Sequence, residues 1–187
     1  VYHIEFFSGL SPEAWNAFEE GHASRDKMST DYLMYDKTPG IGLGKSYLGL
    51  PDYIFTYDIS SGWNSCGMKT THMYLIIAEA EIHNGHYKEA MKALDAIRIN
   101  RIDPAVYAPL EGTVTTEADA IFHLKQTSHG ENIYSYYNFI NRKRWNQVEG
   151  YKETLTRDIA GQIFTLTPDS PMWIFPFPQN AINSNPN

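Results

Sequence analysis

The chain has 187 residues, 42% hydrophobic and 14% aromatic, and its 22 Asp and Glu against 15 Lys and Arg give a formal net charge of −7. That length and composition suit one globular domain, burying roughly two-thirds of the surface that the unfolded chain exposes. The acidic balance argues against a nucleic-acid surface, since no Lys/Arg cluster exceeds Arg142-Lys143-Arg144; no apolar run reaches the ~18 residues that span a bilayer, and the lone Cys66 excludes an intramolecular disulfide. Because it opens at Val1 with neither an initiator Met nor a charged-then-apolar leader, the chain reads as a processed product or a fragment.

The first third, 1–68, is irregular. SPEAWNAFEEG, residues 11–21, has the marks of a short helix, with Ser11 as N-cap, Pro12 at the first helical position and Gly21 beyond the end. From Gly40 to Gly67 glycines interrupt aromatic and aliphatic residues, which predicts long loops with at most short strands. Loops of that length in a compact domain are functional or mobile.

Residues 69–101, KTTHMYLIIAEAEIHNGHYKEAMKALDAIRINR, read as a helical hairpin. Thr71 caps a helix running to about Asn84, Gly85 supplies a left-handed turn residue, and a second helix runs from His86 to about Asn100. So tight a turn makes the two helices antiparallel. Tyr87, Ala90, Met91, Leu94 and Ile97 form one stripe of the second helix, with Lys88, Glu89, Lys92 and Asp95 toward water. Ala78 and Ala80 on the first helix let its partner approach. The order of small residue, Gly85, Tyr87, Ala90 and Leu94 is that of a tetratricopeptide repeat or of an ordinary helical hairpin.

Two more helices are expected, Glu117–Gln126 capped by Thr116 and Asn132–Trp145 with Ile133, Tyr136, Tyr137 and Ile140 on one face. TLTRDIAGQIFTLTP then predicts a small hairpin around Gly161. In SPMWIFPFPQNAINSNPN, from residue 170, three prolines in eight residues forbid a helix, so Trp173, Ile174, Phe175 and Phe177 lie on an extended strip that must hide against another surface. The fold class is mainly α, with tetratricopeptide-like helical hairpins forming an α-α superhelix, long irregular loops and a small β-hairpin.

Several motifs fail as chemistry. GIGLGKS, residues 40–46, has Pro39 where a phosphate-binding loop needs its first Gly, and Gly49 and Pro51 where the helix should start. His83 and His86 flank a turn glycine without a Cys or carboxylate to complete a metal set. Cys66 has no catalytic Cys/His signature around it, and Arg142, Lys143 and Arg144 suit a helix C-terminus. No catalytic residue, metal or cofactor is expected. What remains is aromatic: Trp15, Tyr35 and Trp63, with polar neighbours Asp31, Asp36 and Asn64, are the candidate ligand-binding residues, because flat rings stack on sugar faces while amides and carboxylates take the hydroxyls. These rings either do that or cover the helical layer.

The hairpin MYLIIAEAEIHNGHYKEAMKALDAIRINR, then RKRWN about forty residues on, then YKETLTR and TLTPDSPMWIFPFPQNAINSNPN, closely resembles in content and order the C-terminal part of the SusD/RagB family. The likeness covers Lys69 to Asn187; residues 1–68 match weakly, and the family's acidic-Gly-x-Arg pattern ahead of Arg-Trp is reduced to HGENIYSYYNFINRKRW. The resemblance implies a single SusD-like domain, the C-terminal portion of a longer fold, with 1–68 as a loop-rich ligand-facing part, 69–145 as helical repeats and 146–187 as hairpin and strip. It also implies a non-catalytic, surface-exposed nutrient or oligosaccharide binder of the outer membrane. Its partner would be a TonB-dependent, SusC-like transporter, and its lipid anchor lies outside this chain. The alternative from the residues is a helical-repeat scaffold for a protein partner. No binding residue carries over by motif.

Overall fold

The computed structural model describes residues 8–10, 17–24, 54–56, 69–132, 135–159, 161–174 and 183–184. The chain divides into two compact units, Val1–Tyr136 and Tyr137–Asn187. The described residues are mainly helical.

In the first unit, strand β1, Ser8–Leu10, pairs antiparallel with β2, Ile54–Thr56, with Ser8 opposite Thr56. Helix α1 spans Thr70–His83, α2 spans Tyr87–Arg98 and α3 spans Glu117–Glu131. The expected hairpin is α1 and α2. The chain reverses between them because Gly85 takes φ 75, a conformation that costs other residues a Cβ clash. The Gly85 N–H donates to the Ile82 carbonyl at 2.9 Å and the His86 N–H to the Glu81 carbonyl at 2.9 Å, so two carbonyls at the end of α1 are closed.

His72, Leu75, Ala78, Glu79 and Ile82 form the buried stripe of α1 at helical spacing. It meets Ala90, Met91, Leu94 and Ile97 of α2, and α3 adds Ala120, Ile121 and Leu124 against both. Each fully buried Leu or Ile here contributes about 1.5–3 kcal/mol by leaving water. Thr116 caps α3 as expected, its hydroxyl accepting from the Asp119 N–H at 3.1 Å.

Five details differ from the sequence reading, the first being that Lys69, not Thr71, is the N-cap of α1. Residues 17–20 are turn and bend rather than the end of a helix, and His22 instead makes a bridge to Ile102. Ala78 is buried but Ala80 is exposed, so one small residue, not two, admits the partner. α3 runs five residues beyond Gln126, and Asn132 closes it as a buried C-cap instead of opening the next helix. Asp95 is buried, for the reason given below.

In the second unit, α4 spans Tyr136–Trp145 with Arg142, Lys143 and Arg144 in its last turn, where cations suit the partial negative charge of the free carbonyls. Tyr136 and Ile140 are exposed, so the broad apolar face expected of this helix is only partly covered. Strands β3, Leu155–Ile159, and β4, Gln162–Leu166, form the expected hairpin around Gly161, with Leu155 opposite Leu166 and Ile159 opposite Gln162. The start of the strip is not extended as expected: Pro171, at a first helical position that needs no N–H, opens a short turn of tighter helix, Pro171–Trp173, capped by the Ser170 hydroxyl, which accepts from the Met172 N–H at 3.2 Å, and Ile174 after it is exposed. Trp173 is buried, its ring 5.5 Å from that of Phe139, and its Nε1–H donates to the Thr167 carbonyl at 2.8 Å. The strip therefore hides its first aromatic ring on α4; Phe175 and Phe177 lie outside the described residues.

Candidate functional site: an arginine junction at the end of α2

Arg98 is the last residue of α2 and only 5% exposed, so its charge must be met inside the protein. Glu19, 79 residues earlier, does so from the 17–24 segment. Arg98 Nε donates to Glu19 Oε1 at 2.9 Å and Oε2 at 3.0 Å, and Nη2 donates to Oε2 at 2.6 Å. This is the two-pronged geometry for which a planar guanidinium is suited. Nη1 donates to Asp95 Oδ1, one helical turn back, and to the Ala108 carbonyl at 3.1 Å.

Asp95 is occupied on its other side as well. Its Oδ2 accepts from the N–H groups of Leu110 at 2.8 Å and Glu111 at 2.9 Å. The 107–111 loop thus folds over a residue that the helix period places on the solvent side. Tyr107 stacks on the guanidinium, 5.5 Å from ring centre to Cζ. Burial disfavours the Arg98 cation, but the Glu19 and Asp95 carboxylates outweigh it and its pKa lies above the ordinary value. Burial and the Asp95 charge push the Tyr107 phenol up.

A second pair sits beside the first. Arg101 Nε donates to Glu131 Oε1 at 2.6 Å and Nη2 to Oε2 at 3.2 Å, linking the residues after α2 to the end of α3, and this hydrogen bonding raises the Arg101 pKa. The 17–24 segment completes the contact: the Ala23 N–H donates to the Arg101 carbonyl at 2.7 Å and the Asp103 N–H to the Gly21 carbonyl at 2.8 Å. Phe18 is buried against α3, where a Cβ on Gly130 would lie 3.4 Å from its ring and 3.3 Å from His22 Nε2. A side chain at 130 would thus press on His22 and require it to give by a few tenths of an ångström.

A cavity of about 10 Å³ lies between Phe18, Arg98, Arg101, Thr127 and Gly130, enough for one water-sized centre. A small-molecule pocket is typically ~300–1,000 Å³, so this notch does not admit a sugar. With Arg98 donating to two carboxylates and a carbonyl, the arrangement positions chain segments: it ties the 17–24 segment, α2 and the 107–111 loop at one point.

Trp15, Tyr35, Trp63, Asp31, Asp36 and Asn64, the ligand-binding residues expected from the sequence, all lie outside the described residues, as do Cys66 and GIGLGKS. The structure brings together instead Glu19, Asp95, Arg98 and Tyr107, which the sequence did not single out. The one available signal was Asp95 and Arg98 three apart at a helix end, a spacing that recurs on most solvated helices. Comparison with protein-family models, curated proteins and solved structures gives no match for this chain.

Proposed function

We propose that this chain is the C-terminal part of a SusD/RagB-like surface protein that binds an oligosaccharide, without chemistry of its own, and hands it to a TonB-dependent transporter. The carrying observation is the α1–α2 hairpin with its closed Gly85 turn, in a sequence where RKRWN, YKETLTR and the Trp173 strip follow in the order the resemblance requires. Burial of Trp173 on α4 accords with the docked strip that the resemblance implies. Outer-membrane location through a lipid anchor belongs to the same reading.

The test is titration of a panel of plant, yeast and bacterial oligosaccharides, followed by calorimetry and Trp fluorescence. Saturable binding is expected, weakened by Trp15→Ala, Tyr35→Ala or Trp63→Ala at unchanged melting temperature. A panel without a single binder overturns the glycan reading for this chain, and release of reducing sugar overturns the non-catalytic part.

One observation favours a second reading, a helical scaffold for a protein partner. Met73, Tyr74, Ile76 and Ile77 are exposed along α1, with Ile76 at 62%, opposite its buried stripe. A helix apolar on both faces is usually covered on both. Retention of a protein partner that Ile76→Glu abolishes, together with a silent sugar panel, would select this reading.

A further inference from the structure

We infer that His72 is a proton-sensitive latch that joins the start of α1 to the end of α3 and opens when its ring is protonated. The ring is buried, and both of its nitrogens are in use. The Lys69 backbone N–H lies 3.2 Å from His72 Nδ1. A backbone N–H can only donate, so Nδ1 must be the unprotonated, accepting nitrogen. Nε2 then carries the hydrogen and donates to Asn132 Oδ1 at 2.9 Å. Asn132 is fully buried; its oxygen faces the histidine because Nε2–H needs an acceptor, and its amide donates to the Ser128 hydroxyl at 3.3 Å. One tautomer, and one charge state, satisfies the whole chain of bonds.

The position gives this choice mechanical meaning. Lys69 is the N-cap of α1 and has no capping side chain of the usual Ser, Thr, Asp or Asn kind, so the His72 ring three residues on supplies the acceptor for its N–H. Asn132 is the C-cap of α3. Lys69 Nζ also donates to the Glu131 carbonyl at 3.3 Å, so the same two helix ends are pinned twice. A proton on Nδ1 would set two N–H groups against each other and place an imidazolium beside the Lys69 ammonium. Of the charged groups at these two helix ends, the Lys69 ammonium sits on the Glu131 carbonyl and the Glu131 carboxylate is engaged by Arg101. The positive end of the α1 dipole opposes the imidazolium too. The first turn of α1 therefore releases on acidification, while the α1–α2 contact, built from apolar side chains, stays closed.

The experiment is nitrogen-15 NMR of the histidine rings with amide exchange across the whole chain, from about pH 7.5 down to about pH 5, the range in which imidazole titrates. At neutral pH the His72 ring should show the Nε2–H tautomer. Protection of the Lys69 and His72 amides, corrected for intrinsic exchange, should fall at least about tenfold with the same midpoint as ring protonation, a loss of ~1.4 kcal/mol. His72→Gln keeps an acceptor without a titrating group, so protection there should become flat with pH. A cationic or Nδ1–H ring at neutral pH overturns the inference. So does ring protonation that leaves protection of the Lys69 and His72 amides unchanged, and so does pH dependence that persists in His72→Gln. The wild-type measurement decides the matter even if that variant fails to fold.

Discussion

The two units order their chains by different means. In the first, α1, α2 and α3 pack through apolar stripes, and buried polar side chains add fixed joints, Arg98 tying α2 to Glu19 of the 17–24 segment and His72 tying α1 to Asn132 at the end of α3. In the second, most described residues of the two-stranded hairpin are exposed, with Ile163 at 69%, and among the described residues the buried side chains are the rings of Trp145, Tyr151 and Trp173 with the amide of Asn146. The difference teaches where specificity resides. Buried ionic joints fit only one arrangement of the segments they join and are costly when broken, whereas ring packing tolerates some slippage. A two-stranded hairpin is at best marginally stable alone, so it depends on its surroundings more than the helices do.

The contrast breaks most sharply at Arg98. Arg98→Met removes the only side-chain cation that contacts both carboxylates among the described residues, leaves Asp95 with its two backbone donors and no counter-charge from Arg98, takes from Glu19 its bidentate partner, and should cost ~3–5 kcal/mol. Urea unfolding measures it; a loss below ~1 kcal/mol would mean that the junction is solvated and that the first unit does not rest on it.

Trp173→Ala is the matching test on the other side, with ~3–5 kcal/mol expected for loss of a buried ring. The signature is loss of near-ultraviolet dichroism with the helical far-ultraviolet signal kept. Trp173→Phe keeps the packing and loses the bond to the Thr167 carbonyl, about 1 kcal/mol. Equal losses in the two variants would show that the indole N–H, not the ring, holds the strip.

A smaller effect separates the units by pH. Burial lowers the His123 pKa below 6.5, with Arg98 adding to the effect and Glu19, Asp119 and Asp95 opposing it. Below pH 6.5 the unfolded chain binds this proton first, so stability falls as pH drops from 6.5 through the folded value and is unaffected above it. His123→Gln should flatten that slope over the same window. An unchanged slope assigns it to other groups.

The smallest effect belongs to the hairpin surface. Ile163→Thr and Phe164→Thr keep β propensity at exposed positions and should change stability by no more than about ±0.5 kcal/mol. A larger loss at either position would mean that the side chain is covered in solution.

How much of this was written in the sequence follows from range. The α1–α2 hairpin, the Thr116 cap and the Gly161 turn are set by residues within a few positions of one another, and all three were legible. Asp95 was misread because the helix period reports only the face a residue occupies, not that the Leu110 and Glu111 amides will arrive to cover it. Glu19 with Arg98 was invisible, since nothing local connects positions 79 apart. Asn132 was read as the start of a helix; the His72 ring that it bonds as a C-cap lies sixty residues away in the chain. The candidate glycan residues fall outside the described part, so their placement is neither met nor missed.

The separation of Glu19 from Arg98 has a consequence in time. Closing a flexible loop of 79 residues costs on the order of 4 kcal/mol in chain entropy beyond a constant, while α1 and α2 meet across a turn of three residues, 84–86. Local contacts form first and distant ones follow. In refolding followed by stopped-flow, far-ultraviolet dichroism from the hairpin should therefore appear ahead of burial at Phe18. During synthesis the 17–24 segment leaves the ribosome long before its anchor does, and it waits unlatched until α2 has been made.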